Sequence, residues 1–139
     1  MQYTADSEEE MIALGERISK DLPRRAVVLL EGNLGAGKTT LAKGIISGLG
    51  AAEPEDVTSP TFTLIHEYGE GRVCHIDLYR LDRAEQVATL GLDEILDRKA
   101  VVLIEWGERF PQLLPDSRIE IRIEPLNEES RRIEITGQA

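Results

Sequence analysis

Residues 26 to 39 read AVVLLEGNLGAGKT, an apolar run that opens directly into G-x-x-x-x-G-K-[ST]. This segment constrains the chain more than any other. AVVLLE is short, continuous and β-branched, which suits a strand buried on both faces of a parallel sheet. After the glycines, Leu41, Ile45 and Leu49 recur at helical spacing before Gly50. Strand, glycine loop and helix in that order form a P-loop, in which inward-turned backbone N–H groups and a helix N-terminus meet phosphate oxygens. The expected ATP-binding residues are Gly32, Asn33, Leu34, Gly35, Ala36, Gly37, Lys38, Thr39 and Thr40. Lys38 is expected to reach the β- and γ-phosphates, and Thr39 to offer its hydroxyl to Mg2+.

A P-loop magnesium needs a carboxylate at the end of a neighbouring buried strand. VVLIE, residues 101 to 105, is such a strand, and Glu105 closes it. Trp106 follows and reads as a positioning or partner-contact residue. Residues 61–68 (TFTLIHEY) and 73–79 (VCHIDLY) are strand-like around GEGR, which predicts a β-hairpin. Within it, His75, Asp77 and Tyr79 share one face and Cys74, Ile76 and Leu78 the other. An acid such as Asp77 among apolar neighbours needs a partner, either Arg80 or the magnesium site. A His75-x-Asp77 metal pair lacks a third ligand. Thr61, stiffened by Pro60, stands where a switch segment would present a hydroxyl to a γ-phosphate.

Elsewhere, Ser7 and Glu10 have capping-box spacing ahead of Met11, Leu14, Ile18 and Leu22, which predicts a helix ending before Pro23. Helical material is expected from Ala84 to Asp97, interrupted at Gly91. Ile119, Ile121 and Ile123 alternate with charged residues, as do Ile133 and Ile135 after NEES, which predicts a solvent-facing antiparallel pair. The fold class is therefore α/β: a P-loop NTPase-like sheet with a parallel core, an antiparallel hairpin and C-terminal antiparallel strands, and helices on both faces. At 139 residues and 41% hydrophobic, one domain spanning 1–139 is expected.

The formal net charge is −10, so contact with nucleic acid is expected only through partners. Cys74 has no second cysteine to pair with and reads as a buried thiol. The acidic start MQYTADSEEE is unlike a signal peptide, and no apolar run approaches the roughly 20 residues needed to cross a bilayer. A cytoplasmic protein is expected. No Asn-Lys-x-Asp guanine reader follows the loop, which favours ATP. Hydrolysis coupled to a shape change is the simplest use of it; a small-molecule kinase and a non-catalytic ATP-binding assembly module are the alternatives.

GNLGAGKTT, SPTFTL, HIDLYRL, LGLDEIL, LIEW and LLPDSRIEI, spread over residues 32 to 123, occur in the order and approximate spacing of the TsaE (YjeE) family, which the chain resembles. The resemblance implies a small P-loop ATPase that supports formation of N6-threonylcarbamoyladenosine at position 37 of tRNAs reading A-starting codons. It implies work with TsaD, the transferase subunit, and TsaB, with tRNA met only through the complex. Carried over by position, the family's loop lysine falls on Lys38, its magnesium-binding threonine and glutamate on Thr39 and Glu105, and the acid of its H-x-D-x-Y-R stretch on Asp77. It also strengthens the reading of Thr61 and Trp106 as switch or partner-linked residues. Asn33 departs from the aspartate common there, with little expected loss, because that position serves the phosphates through its backbone.

Overall fold

The computed structural model describes residues 1–33 and 35–137. Its strands are β1 (Gln2–Ala5), β2 (Ala26–Glu31), β3 (Ile65–Tyr68), β4 (Val73–Asp77), β5 (Val101–Glu105), β6 (Ile119–Pro125) and β7 (Arg131–Gly137). The α-helices are α1 (Glu8–Ser19), α2 (Lys38–Gly48), α3 (Ala84–Ala88) and α4 (Leu92–Leu96). All seven strands form one sheet in the order β1-β7-β6-β2-β5-β4-β3. Strands β6, β2, β5 and β4 run parallel, while β3 and β7 add antiparallel edges and β1 extends β7.

The two faces of the parallel core separate by alternation along each strand. Val28, Leu30, Val73, Val101 and Leu103 pack with Met11, Leu14 and Ile18 of α1 and Leu41 and Ile45 of α2. Val27, Leu29, Cys74, Ile76, Val102 and Ile104 pack with Val87 of α3 and Leu92 and Ile95 of α4. Burial on both faces explains why β2 and β5 read as unbroken apolar runs.

Helix α1 begins as its capping residues dictate. The Ser7 hydroxyl accepts from the Glu10 amide at 3.1 Å, while Glu10 accepts from the amide of Asp6 at 3.0 Å. The helix stops at Ser19, short of the expected Leu22, where the Ser19 hydroxyl turns back to the Glu16 carbonyl at 2.6 Å. Strand β3 starts at Ile65, so Thr61–Thr63 form a turn instead of extending the hairpin. The cause is local: the Leu64 amide bonds the Pro60 carbonyl at 2.6 Å, and Leu64 takes φ +71°. Strand β4 stops at Asp77, whose Oδ1 accepts from the Tyr79 amide at 2.9 Å and bends the chain. Strands β6 and β7 are the expected antiparallel pair, but β6 also pairs parallel with β2, and Ile121, Ile123 and Ile133 enter the core.

Candidate functional site at the carboxyl ends of the parallel strands

Strands β2, β5 and β4 deliver their last residues to one end of the sheet. Leu30 pairs with Glu105, and Glu105 pairs with Asp77. Glu105 has the same parity as Val101 and Leu103, and Asp77 and His75 the same parity as Val73, so all three side chains lie on the α1/α2 side. Helix α2 points its first turn at them. Its N-cap, Gly37, has φ +104°, the left-handed conformation that glycine adopts without a Cβ penalty. The helix has no side-chain cap and no acid in its own first turn, so no side chain of the helix itself offsets its positive dipole end.

Thr39 donates its hydroxyl to Glu105 Oε2 at 3.1 Å, and His75 Nε2 lies 2.6 Å from the same oxygen. Two oxygens bound side by side on an octahedral Mg2+, with bonds of about 2.1 Å, lie about 3.0 Å apart. The Thr39 and Glu105 oxygens already have that spacing, and both are the hard donors this ion prefers. No group of three or more His, Cys, Asp and Glu side chains able to hold a metal occurs among the described residues. An ion at Thr39 and Glu105 would take one or two protein oxygens and complete its shell from phosphate and water.

Lys38 is 5% exposed. Its ammonium donates to the Gly32 carbonyl at 2.7 Å and lies 3.5 Å from the centroid of the Trp106 ring. Burial lowers its pKa from the ordinary lysine value, against the opposing charges of Glu105, Glu108 and Asp77. The lysine is thus a desolvated cation held beside carboxylates, a state that an incoming polyphosphate would relieve. Trp106 reaches it by adopting φ +66° directly after β5. That conformation costs a non-glycine residue about 1 kcal/mol. The indole also packs against Tyr79 at 5.1 Å and under Arg109 at 4.9 Å.

Asp77 is not paired with Arg80, whose guanidinium lies instead over Phe62 at 5.0 Å. Its Oδ1 takes the Tyr79 amide and its Oδ2 the Ser59 hydroxyl at 3.4 Å. Ser59 in turn bonds the Thr61 hydroxyl at 2.8 Å, so Thr61 is joined to Asp77 through one intermediate residue.

A cleft of about 330 Å3 gathers Gly35 to Thr40 with Thr61, Asp77, Glu105 and Trp106. Gly32 and Asn33 border a separate recess of about 300 Å3 on the far side of Trp106, and Gly32 joins the site through its carbonyl on Lys38. Leu34 lies outside the described residues. A larger cleft of about 770 Å3 opens at the other end of the strands, around Arg25 and Leu114, away from these groups.

Three contributors were not singled out from sequence. Ser59 sits in the same SPTFT segment as Thr61. Arg109 bonds the Tyr79 carbonyl at 2.7 Å and braces Trp106; its place three residues after the tryptophan was the available signal. Arg131 donates from β7 to the carbonyls of Ala36 and Gly35 at 3.0 and 3.4 Å, tying the glycine loop from outside, and no local pattern marks it.

The model of the family described as threonylcarbamoyl adenosine biosynthesis protein TsaE matches residues 5–133. The chain belongs to the TsaE family. It is 44% identical to the Nostoc tRNA threonylcarbamoyladenosine biosynthesis protein TsaE, over 96% of this chain and 83% of that one. The TsaE protein of Treponema pallidum is 36% identical over 97% and 99% of the two chains. Among solved structures, Bacillus subtilis YdiB superposes with a TM-score of 0.80 at 33% identity, covering all of this chain and 86% of YdiB. Among the described residues, no helix is long and apolar enough to cross a membrane.

Proposed function

We propose that this TsaE-family chain binds Mg-ATP in the cleft between the glycine loop and Glu105, hydrolyses it, and thereby supports formation of N6-threonylcarbamoyladenosine in tRNA with TsaD and TsaB. The observation that carries the reading is the convergence of Lys38, Thr39 and Glu105 at the open end of β5, with the Thr39 and Glu105 oxygens 3.1 Å apart. The relatives named for tRNA threonylcarbamoyladenosine biosynthesis supply the biological direction.

In this mechanism the loop amides from Gly35 to Thr40 bind phosphate oxygens, aided by the α2 dipole. Lys38 leaves the Gly32 carbonyl for the β- and γ-phosphates, its ammonium starting from the face of the Trp106 ring. Thr39 and Glu105 would hold the ion, which when bound would neutralise charge developing on the phosphates. Asp77, fixed at both oxygens by the Tyr79 amide and Ser59, accepts a hydrogen bond from the attacking water and orients it. Thr61, linked through Ser59 to Asp77, relays occupancy of the γ-phosphate site to the exposed loop around Phe62. With a net charge of −10, the chain meets tRNA only through its partners.

The test is phosphate release from ATP and from GTP, by the chain alone and with TsaD and TsaB. The expected result is slow release from ATP alone, accelerated by the partners, with GTP a poorer substrate. Equal use of GTP, or a rate indifferent to both partners, would overturn the proposal.

A further inference from the structure

His75 is the most deeply buried titratable side chain at the site, with no exposed surface, and the mechanism above gives it no task. Its Nε2 lies 2.6 Å from Glu105 Oε2, whereas its Nδ1 makes no hydrogen bond among the described residues. A carboxylate that serves a cation only accepts, so on the Mg-nucleotide reading the His75 contact is a donation from Nε2. The bare Nδ1 is then a lone pair, which is tolerated in a core better than an orphaned N–H.

Placement follows from register. His75 pairs with Leu103 of β5, one parity step before Glu105, and both residues project toward α2. The imidazole therefore reaches the carboxylate from beneath, on the side away from the cleft.

We infer that His75 is a positioning residue for Glu105, fixing the carboxylate rotamer that presents oxygen to a divalent cation. The inference rests on the Mg-nucleotide reading above. In the present arrangement Oε2 accepts from both Thr39 and His75. A threonine hydroxyl has two lone pairs besides its proton, so Thr39 could meet a cation and still donate, but its orientation would then be set by the ion as well. His75, which has no ligand role, holds Oε2 independently of the ion and keeps the carboxylate from rotating away as the ion arrives. Partners of this kind, one step removed from a metal, change its affinity by roughly 10- to 100-fold when removed.

The experiment uses the full chain with ADP, Mn2+ as an EPR probe of the cation, and fluorescence of the single tryptophan to follow ADP in EDTA. In His75→Phe, an apolar ring fills the same space without a donor. Mn2+ affinity of the ADP complex should fall roughly 10- to 100-fold while metal-free ADP affinity changes less than about threefold. His75→Gln, whose amide nitrogen reaches toward the Nε2 position, should return Mn2+ affinity to within several-fold of the parent. His75→Asn, which is too short, should not.

Should His75→Phe fail to melt cooperatively, the glutamine and asparagine variants decide between positioning and packing. Parental Mn2+ affinity in His75→Phe, or equal loss in the glutamine and asparagine variants, overturns the inference while leaving the Mg-nucleotide reading intact. If the parent protein itself adds nothing to the affinity of ADP for Mn2+, that reading fails and the role of His75 falls with it.

Discussion

Replacing Gly44 by alanine sets two effects of opposite sign against each other. Gly44 lies inside α2, where alanine is favoured over glycine by about 1 kcal/mol on helix propensity alone. A methyl group there would stand 2.1 Å from the Ile12 carbonyl oxygen and 2.9 Å from Ile12 Cα, and one on Gly15 of α1 would stand 2.6 Å from the Leu41 carbonyl oxygen and 2.7 Å from the Ile45 nitrogen. These obstacles are main chain and have no rotamer to turn away. Since carbon and oxygen settle at about 3.3 Å, α1 and α2 must part by roughly 1 Å. A gap of that size forfeits a quarter to a half of each dispersion contact it opens, and Met11, Leu14, Ile18, Leu41 and Ile45 all lie in this part of the core. Overpacking that forces backbone shifts costs about 1–3 kcal/mol. Contacts that are all main chain put Gly44 at the upper end, and with the propensity gain deducted a net loss of about 2 kcal/mol is expected, or about 7 °C in Tm for a domain of this size. The same shift displaces the first turn of α2, which carries Thr39 to within 3.1 Å of Glu105, so nucleotide affinity should fall as well. Calorimetry or a CD melt measures the first effect and ADP titration the second. A Gly44→Ala protein as stable as the parent, or more so, would refute the close helix approach on which the placement of the loop depends.

Lys38→Ala should keep its fold and lose at least roughly tenfold in ATP affinity, measured by titration calorimetry; unchanged affinity would exclude the lysine from the phosphate site. Trp106→Gly should be more stable than Trp106→Ala by about 1 kcal/mol, because both lose the stack on Lys38 and only alanine retains the left-handed burden at φ +66°; equal urea midpoints would refute this. The Glu31 pKa is raised, first by burial and then by Glu120, against the pull of Arg122. A carboxyl with a raised folded-state pKa binds more protons folded than unfolded, so its contribution to stability declines as pH climbs from the ordinary glutamate range through the raised value. Glu31→Gln should therefore gain on the parent in stability between pH 4 and pH 7. A constant difference across that range, measured by urea unfolding, would contradict it.

How much of this was legible in the sequence depends on the range of the information. The runs at 26–30 and 101–104 announce buried strands because each residue is apolar, and Gly37, Lys38 and Thr39 announce their loop because the chemistry is contiguous. The hairpin edge was overread from composition: Thr61 to Thr63 favour strand, yet Pro60 captures the Leu64 amide and turns the chain. Strand β1 was missed because QYTA buries only Ala5 and depends on pairing with β7, more than a hundred residues away. Arg131 was invisible for the same reason, since its link to the loop arises only when β7 closes beside β6.

The site itself is a consequence of register more than of motif. His75 and Asp77 are two apart on one strand and Glu105 ends another, and nothing local aligns them. What aligns them is the apolar alternation upstream: Val73 and Val101 face α1 and α2 while Cys74 and Val102 face α3 and α4. A slip of one residue between β4 and β5 would set Leu78 opposite Glu105 and carry His75 to the opposite face, and it would also expel the valines from their layer. The cost of misplacing the hydrophobic residues therefore protects the geometry of the polar ones. The carboxylate can be held at the mouth of the cleft because the strand below it can bury its side chains in only one phase.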